Sequence, residues 1–442
     1  MKRGAPDYEA LVLDYTSAGR FEEALAVAEL AIAQPVGEQT LLHYYKSWCL
    51  IRLGKTAEAQ IAIATAEKEP ADYCFPNALE AIEALQCVVD FAGKAPKALY
   101  YLGNLWYDKR RYPTAIAAWE RSSREDETFP TVWRNLSLAY FNKMNRPDEA
   151  VALLEKAFRL DHTDARVLME LDQLYKRLNR PHIERLCFLE QHIDIVMTRD
   201  DLYLEYVTLL NQTGQYREAI RRIDQRKFHP WEGGEGKVPA QYQLARLELA
   251  KELIIRKKYD DALALIDECY IYPAHLGEGK LPGAQENDFN YYKAYILQQQ
   301  GRPEEAHSLF VKACSGNSQP AAAMYYNDQK PDKIFYQGLA YRKLGEEEKA
   351  RSRFNQLITY GEEHLFDRFK MDYFAVSLPD LLIWEDDMDK KNRIHCNYLM
   401  ALGHLGLGNR TKAEHFFDIA ASMDNNHQGV QIHRKLMNTI LS

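Results

Sequence analysis

Apolar residues recur every three or four positions along most of the chain, which is the spacing of helices that bury one side. A short phrase returns within this pattern: a turn residue, acidic residues and an alanine, as in residues 19–24 (GRFEEA). The interval is regular, because Ala24 and Ala59 are 35 residues apart, as are Ala115 and Ala150. A period of this length predicts a stack of antiparallel helix pairs.

Each position of the phrase has a physical role in such a pair. Glycine supplies the left-handed backbone that ends the first helix. Small residues allow two helices to pack closely, so we predict that Gly103 and Gly338 on first helices meet Ala115 and Ala350 on the second helices. Helices of about 13 residues are marginal alone, so we expect their stability to come from stacking on neighbouring pairs.

The clearest repeat runs from Phe335 to Phe354 and begins FYQGLAY. It resembles the tetratricopeptide repeat (TPR). The resemblance covers nearly the whole chain and implies an all-α fold, namely an α-α superhelix or TPR-like solenoid of about ten antiparallel helix pairs. It is weakest from Pro70 to Ala95, where one clear helix is predicted, and in the fifth unit, where Arg185 occupies the usual alanine position.

The repeats lengthen after Ala219. Ala219, Ala262 and Ala306 follow one another at steps of 43 and 44 residues, so extra chain is inserted between helix pairs. We therefore predict a regular TPR array at 1–226 and, continuous with it, a TPR-like array with long insertions at 227–442. Insertions in repeat proteins gather on one face, so we expect these to form one composite surface. They lie at 228–239, 272–283, 319–332 and 360–391.

Two runs in this second array indicate a narrower kinship. Residues 226–237 (RKFHPWEGGEGK) and 372–380 (DYFAVSLPD) resemble the carboxy-terminal repeat region of large bacterial proteins of the uncharacterised YphG type. In those proteins a β-rich, sugar-mutarotase-like domain precedes the repeats. The resemblance implies a link to carbohydrate metabolism and a β-rich sugar-active domain as partner, but it supplies no catalytic residues.

Composition and charge exclude several classes of partner. The net charge is −8, and the 56 basic residues are scattered among 64 acidic ones, so we expect neither nucleic-acid binding nor attraction to a membrane surface. The amino terminus lacks the apolar run of a signal peptide, and no segment approaches roughly 18 uninterrupted apolar residues. The seven cysteines are widely spaced in helix-like segments, so we expect them to be reduced and the protein to be cytoplasmic.

The first helices of a TPR array line a groove, and the family pattern places polar side chains of this chain there. Arginine, asparagine and tyrosine are suited to holding an extended peptide or its terminal carboxylate. The alternative interpretation is a solvated polar surface. The candidate groove residues for a protein or peptide partner are Tyr100, Asn104, Tyr107, Arg134, Asn142, Lys176 and Arg177.

The insertions supply a second group of candidate ligand residues. Two insertions contain Gly-Glu-Gly-Lys, but neither has the Ser or Thr that follows Lys in a phosphate-binding loop. One interpretation is that the glycines allow tight turns while Glu and Lys pair across neighbouring loops. Another is that Trp231 stacks on a sugar ring. The candidates are His229, Trp231, Glu232, Glu235, Lys237, His275, Glu278, Lys280 and Asp328.

Catalytic motifs are missing from the sequence. His229 and His275 are two imidazoles without an evident third metal ligand, so we predict no metal and no other cofactor. We therefore expect a non-catalytic scaffold for protein–protein or interdomain docking, in a carbohydrate-metabolism context. The alternative functions are a carbohydrate-binding or carbohydrate-active unit that uses the loops around Trp231, and a purely structural spacer.

Overall fold

The computed structural model describes residues 7–34, 40–72, 74–231, 233–322, 328–368 and 383–437. These residues contain 23 α-helices and no strand, which confirms the all-α prediction. The chain divides into two compact units, Met1–Leu171 (unit 1) and Asp172–Ser442 (unit 2). The boundary falls within helix α10, Ala165–Arg177. The change of repeat length predicted at residue 226 lies inside unit 2, and the division made there stays a prediction.

Unit 1 consists of helix pairs joined by short turns. The paired helices are α1 with α2, α3 with α4, α6 with α7, and α8 with α9. Gly19 and Gly54 adopt φ of +73° and +74° between the helices of the first two pairs, as the turn glycines were expected to do. The helices are α1 Tyr8–Ser17, α2 Phe21–Ile32, α3 Thr40–Arg52, α4 Thr56–Ala66, α5 Glu80–Ala92, α6 Pro96–Asp108, α7 Tyr112–Glu125, α8 Pro130–Met144 and α9 Pro147–Leu160.

Helix α5 stands outside the pairwise pattern, which confirms the single helix predicted between Pro70 and Ala95. It packs between α3 and α6 rather than against a partner of its own. Ala81, Leu85 and Val88 are buried on one side of α5. The other side of α5, which includes Phe91, lines a broad, open groove that Ile51 on α3 also borders.

Unit 2 contains five further pairs: α13 with α14, α15 with α16, α17 with α18, α19 with α20, and α21 with α22. With the four pairs of unit 1 these make nine pairs in the described residues, and Arg185 on α11 forms an ion pair with Asp172 on α10, Ala165–Arg177. The helices are α11 His182–Gln191, α12 Ile193–Val196, α13 Asp200–Gln212, α14 Tyr216–Asp224, α15 Lys237–Ile255, α16 Tyr259–Cys269, α17 Asn287–Gln299, α18 Pro303–Ala313, α19 Pro331–Lys343, α20 Glu347–His364, α21 Met388–Gly406, α22 Arg410–Met423 and α23 Gln428–Leu436.

Gly103 and Gly338 on the first helices lie against aromatic rings of the second helices. A Cβ atom placed on Gly338 would lie 2.4 Å from Cε1 of Phe354, and one on Gly103 would lie 2.2 Å from Nε1 of Trp119. The ring belongs to the second helix of the same pair, one turn beyond the alanine. The predicted close packing is confirmed, because the ring fills the space that the missing side chain leaves. Contact with Ala115 and Ala350 stays a prediction. None of the helices in the described ranges is long and apolar enough to span a bilayer.

Candidate functional site

Five side chains on consecutive first helices of unit 1 form a hydrogen-bonded series that we call the polar row: Tyr100, Asn104, Arg134, Asn135 and Glu170. Oδ1 of Asn104 on α6 accepts hydrogen bonds from Nδ2 of Asn135 at 3.0 Å and from Nε1 of Trp119 at 3.2 Å. Nη1 of Arg134 donates to Oδ1 of Asn135 at 3.2 Å. The structure thus brings together three of the predicted groove residues, Tyr100, Asn104 and Arg134. Burial raises the pKa of the Tyr100 hydroxyl.

The charge of Arg134 is balanced inside the row. Its Nε and Nη2 atoms donate to the two carboxylate oxygens of Glu170 at 2.7 and 2.6 Å. Glu170 is fully buried, and Arg166 also contacts it, at 3.0 Å. Two arginines therefore share one carboxylate, while Asp164 accepts backbone hydrogen bonds at the start of α10. The row is an amide-rich surface of balanced charge rather than a cationic patch.

The other predicted groove residues of unit 1 have different surroundings. Tyr107 packs against Tyr112 and Trp119, with ring centroids 4.9 and 5.3 Å away. Asn142 is partly exposed on α8, about two turns beyond Asn135.

The first two insertions meet in unit 2, as the composite-surface prediction required of them. The backbone N–H of Phe228 donates to the carbonyl of His275 at 2.8 Å, and the N–H of Gly236 donates to Oε2 of Glu278 at 2.7 Å. The expected Glu–Lys pairing between the loops is wrong in detail. Glu278 binds a backbone N–H, and Lys280 forms its ion pair with Glu286 on its own side.

Trp231 borders a cavity of about 270 Å³ between these loops, which we call the loop cavity. The indole lies against Gly234, where an added Cβ atom would come within 2.4 Å of it. Burial raises the pKa of Glu278, a carboxylic acid in the wall. The residues that line the loop cavity are His229, Pro230, Trp231, Gly234, Glu235, Val238, Leu276 and Glu278.

The remaining loop candidates are dispersed. His229 contacts Asp200 through its backbone N–H and through Nδ1, at 2.9 and 3.1 Å. His275 packs near Tyr242 and lies outside the wall of the loop cavity. Nowhere in the described ranges do three or more His, Cys, Asp or Glu side chains gather as metal ligands. Lys237 is exposed at the start of α15.

The third insertion contacts Gln285, two residues beyond the end of the second insertion. The carbonyl of Asp328 accepts a hydrogen bond from Nε2 of Gln285 at 3.1 Å, and the N–H of Lys330 donates to Oε1 of the same residue at 3.2 Å. Asp328 is absent from the wall of the loop cavity, so contact of the third insertion with the first two stays a prediction. Glu232, the last loop candidate, lies outside the described residues.

Comparison with known families agrees with this architecture. Residues 334–360, which hold the clearest repeat and the Gly338–Phe354 contact, match the family model of the tetratricopeptide repeat. This segment of the chain is therefore a tetratricopeptide repeat. Solved structures with similarity include MamA from Desulfovibrio magneticus RS-1, with 16% identity over 44% of this chain and 95% of that one, at a TM-score of 0.27. A tetratricopeptide repeat protein from Parabacteroides merdae has 16% identity over 69% and 99%, also at 0.27.

Unit 2 departs from the repeat pattern at Arg185. The guanidinium group is fully buried and pairs with both oxygens of Asp172, at 3.0 and 2.7 Å. It also donates to Glu205 at 2.7 Å, and Lys176 contacts Glu205 at 2.8 Å. Burial alone would raise the pKa of Glu205, but Lys176 and Arg185 outweigh it and lower that pKa to about 2. Lys176, a predicted groove residue, thus belongs to a buried ion network.

Arg177, the last predicted groove residue, contacts the fourth insertion. Its guanidinium pairs with Asp386 and donates to the carbonyl of Trp384 at 3.1 Å. Trp384 is among the largest fully buried side chains of the described residues. Asp386 in the fourth insertion therefore pairs with α10, the first helix of unit 2. Unit 2 thus closes on itself.

Residues 424–437, which we call the terminal segment, complete this closure, and the repeat pattern did not predict their role. Asn425 donates two hydrogen bonds to Asn179, from its backbone N–H to Oδ1 at 3.1 Å and from its Nδ2 to the backbone carbonyl at 2.8 Å. Oδ1 of Asn426 accepts from Nη1 of Arg185 at 2.7 Å. The one signal in the sequence was Arg185 itself, because a charged residue at a small-residue position requires buried partners.

Proposed function

We propose that this protein is a docking scaffold, without catalysis of its own, that binds a protein partner along the polar row. The observation that carries the proposal is the series formed by Asn104, Asn135 and Arg134 on two consecutive first helices. A primary amide has two N–H hydrogens and two acceptor lone pairs, so amides in mutual contact keep capacity for further hydrogen bonds. An extended peptide backbone needs both kinds of partner.

The balanced charge of the polar row limits the kind of peptide that it can bind. Arg134 is engaged by Glu170 on both of its forked N–H groups, so it is poorly placed to capture a free carboxylate. The polar row accordingly suits the backbone of an internal peptide segment better than a chain terminus. The resemblance to the YphG-type repeats makes a β-rich sugar-active domain our specific candidate partner. We propose the cytoplasm as the location, because the seven cysteines are expected to be reduced.

The test uses the double variant Asn104→Ala and Asn135→Ala. Nε1 of Trp119 retains its second acceptor, the carbonyl of Tyr100 at 3.1 Å, so we expect the double variant to fold. Peptides are first selected from a random library against the wild-type chain. Their dissociation constants are then measured for the wild type, the double variant and Arg124→Ala, an exposed residue on the second helix α7.

Loss of two amide contacts is expected to weaken the selected peptides roughly 10-fold or more in the double variant, at about 1 kcal/mol per hydrogen bond. Arg124→Ala should bind as the wild type does. Failure to enrich any peptide, or equal binding by wild type and double variant, would remove the polar row as the docking site.

A second candidate function, carbohydrate binding, is favoured by the loop cavity. Its volume of about 270 Å³ is near the lower limit for small-molecule sites, which is on the order of 300 Å³. An indole beside two carboxylates, Glu235 and Glu278, offers a stacking surface and acceptors for sugar hydroxyls. Titration of the chain with neutral hexoses should then quench its tryptophan fluorescence saturably, and Trp231→Ala should abolish the quench. A panel without any saturable signal would eliminate this candidate.

A further inference from the structure

The terminal segment lies on the first helices of unit 2, on a side that we call the inner face. Nε2 of Gln212 on α13 donates to the backbone carbonyl of Asn426 at 2.8 Å. Gln428 and Gln241 on α15 form a reciprocal amide pair, with distances of 2.8 and 3.0 Å. These contacts connect residues more than 180 positions apart, so the segment returns to the beginning of unit 2.

Helix α23 continues across the inner face. The hydroxyl of Tyr398 on α21 lies 3.1 Å from Nδ1 of His433, and the ring of Tyr336 on α19 lies 5.8 Å from the imidazole. Nζ of Lys435 donates to the hydroxyl of Tyr216 at 3.2 Å. Val430, His433 and Leu436 are buried at a spacing of three residues, so one side of α23 faces the TPR helices.

The mode of contact is that of peptide recognition. Side chains of the repeat helices bind backbone atoms of the terminal segment: Gln212 binds the carbonyl of Asn426, and Oδ1 of Asn179 accepts the N–H of Asn425 at 3.1 Å. Main-chain contacts give affinity with little dependence on sequence, while pockets for alternate side chains give specificity. Arg185 reads a side chain, because it donates to Oδ1 of Asn426 at 2.7 Å.

Beneath α23, the inner face carries charged groups that a purely structural core would not need. Lys251 pairs with Glu248, and Lys333 pairs with Asp288, with N–O distances of 2.5 Å in both pairs. Oδ2 of Asp332 lies 3.8 Å from Nζ of Lys333. Burying such ions carries a desolvation cost that apolar side chains of equal volume would avoid. His433 of α23 interacts electrostatically with Lys251, Glu248 and Asp332, so an occupant of the inner face meets these charges.

The fit of the terminal segment is incomplete. Among the described atoms, Nε2 of His433, Oε1 of Gln212 and Oδ1 of Asn211 are buried without a hydrogen-bond partner. An unmade buried hydrogen bond opposes docking, so the segment is held less firmly than its contact area allows. A ligand that satisfied these atoms would bind the same face more tightly.

We propose that the inner face of unit 2 is a binding groove for a helical peptide, and that the terminal segment is its tethered occupant. The partner it fits is an external segment of the same chemistry: an asparagine-rich turn, followed by an amphipathic helix with buried positions every third residue. Displacement of the terminal segment opens the groove. This site is separate from the polar row and does not depend on the docking function proposed for it.

The experiment uses the full chain and a fluorescent peptide with the sequence of residues 424–437. The double variant Val430→Asp and Leu436→Asp places carboxylates in the buried side of α23 and should release the segment. We expect the peptide to bind this variant at least 10-fold more tightly than the wild type, whose groove is occupied. A peptide carrying Asn426→Ala should bind the variant roughly 10-fold more weakly, because Arg185 loses an acceptor. Ser422→Asp, at an exposed site on α22, is the matched control and should behave as the wild type.

Hydrogen exchange of the unmodified chain keeps the proposal testable if the double variant does not fold. A tethered ligand should open on its own, so amides of 428–436 should exchange at least 10-fold faster than those of α15 and α19. Exchange of α23 together with those helices would show that it is part of the core and would overturn the proposal. Equal binding of the peptide by wild type and released variant, or no binding by either, would do the same.

Discussion

Arg185 donates a hydrogen bond of 2.7 Å to Oδ1 of Asn426, a residue 241 positions later in the chain. The same guanidinium group pairs with Asp172 and Glu205, so one side chain connects α10, α11 and α13 with the terminal segment. A repeat array needs contacts between neighbours only, whereas this contact ties the last turn of unit 2 to its first helices.

Substitution of Arg185 by alanine should destabilise unit 2 strongly. The change leaves Asp172, which is 1% exposed, without its bidentate partner, and breaking a buried pair in this way costs about 3–5 kcal/mol. Hydrogen exchange of α11 and α13 measures the loss in the free energy of opening. Arg302→Ala, which removes an exposed pair with Glu305, should leave these helices unchanged. Equal exchange in the two variants would refute a structural role for the network.

The polar row contains its own matched pair of arginines around one carboxylate. Arg134→Ala should lower the free energy of unfolding of unit 1 by about 3 kcal/mol, because fully buried Glu170 loses both forked hydrogen bonds. Arg166 contacts the same carboxylate with a side chain that is 59% exposed, so Arg166→Ala should cost less than about 1 kcal/mol. Exchange of the amides of α8 compares the two variants. The opposite order of effects would contradict the burial argument.

These two networks show how far the sequence could predict the molecule. The alanine period of 35 residues identified the helix pairs, since every pair repeats the same local packing problem and solves it with the same residue types. The placement of Asn104 and Arg134 on first helices followed from the resemblance to the TPR pattern. The single helix α5 was predictable because the phrase is missing before it.

The contacts that close unit 2 could not be predicted from the repeat period. Asn426 and Trp384 lie in segments without repeat identity, and their partners Arg185 and Arg177 are more than 200 residues away. Local periodicity carries no information about contacts of this length. Lys176 and Arg177 were correctly recognised as charged side chains of a first helix, but their ion pairs depend on Glu205 and Asp386, which no spacing rule connects to them.

Close helix packing gives a third prediction. Alanine is normally favoured over glycine in a helix by about 1 kcal/mol. Gly338→Ala should instead destabilise unit 2 by about 1–3 kcal/mol, because its Cβ would lie 2.4 Å from Cε1 of Phe354. Thermal unfolding followed by circular dichroism should show a lower midpoint for this variant. Gly279→Ala is the control, since its Cβ would meet no atom within 4 Å. Stabilisation by Gly338→Ala would mean that the ring moves aside without cost.

The buried imidazole of the terminal segment makes the stability of unit 2 depend on pH. Burial lowers the pKa of His433 to about 4, with nearby Asp332 and Glu248 opposing the shift and Lys251 adding to it. The unfolded chain, with a histidine pKa near 6.5, therefore binds more protons than the folded one between these values. Stability is fully present above about pH 6.5 and is lost as the pH falls towards 4.

His433→Gln removes this titration while keeping a polar side chain of similar size. Between pH 7 and pH 5, the free energy of unfolding of wild-type unit 2 should fall by about 2 kcal/mol more than that of the variant, at 1.36 kcal/mol per pH unit below 6.5. The interval lies above the range in which Glu205 is protonated, and His427, whose pKa burial also lowers, titrates in both proteins. Urea unfolding at the two pH values measures the difference. Parallel pH profiles would show that the imidazole is hydrated, and that α23 does not seal it against the inner face.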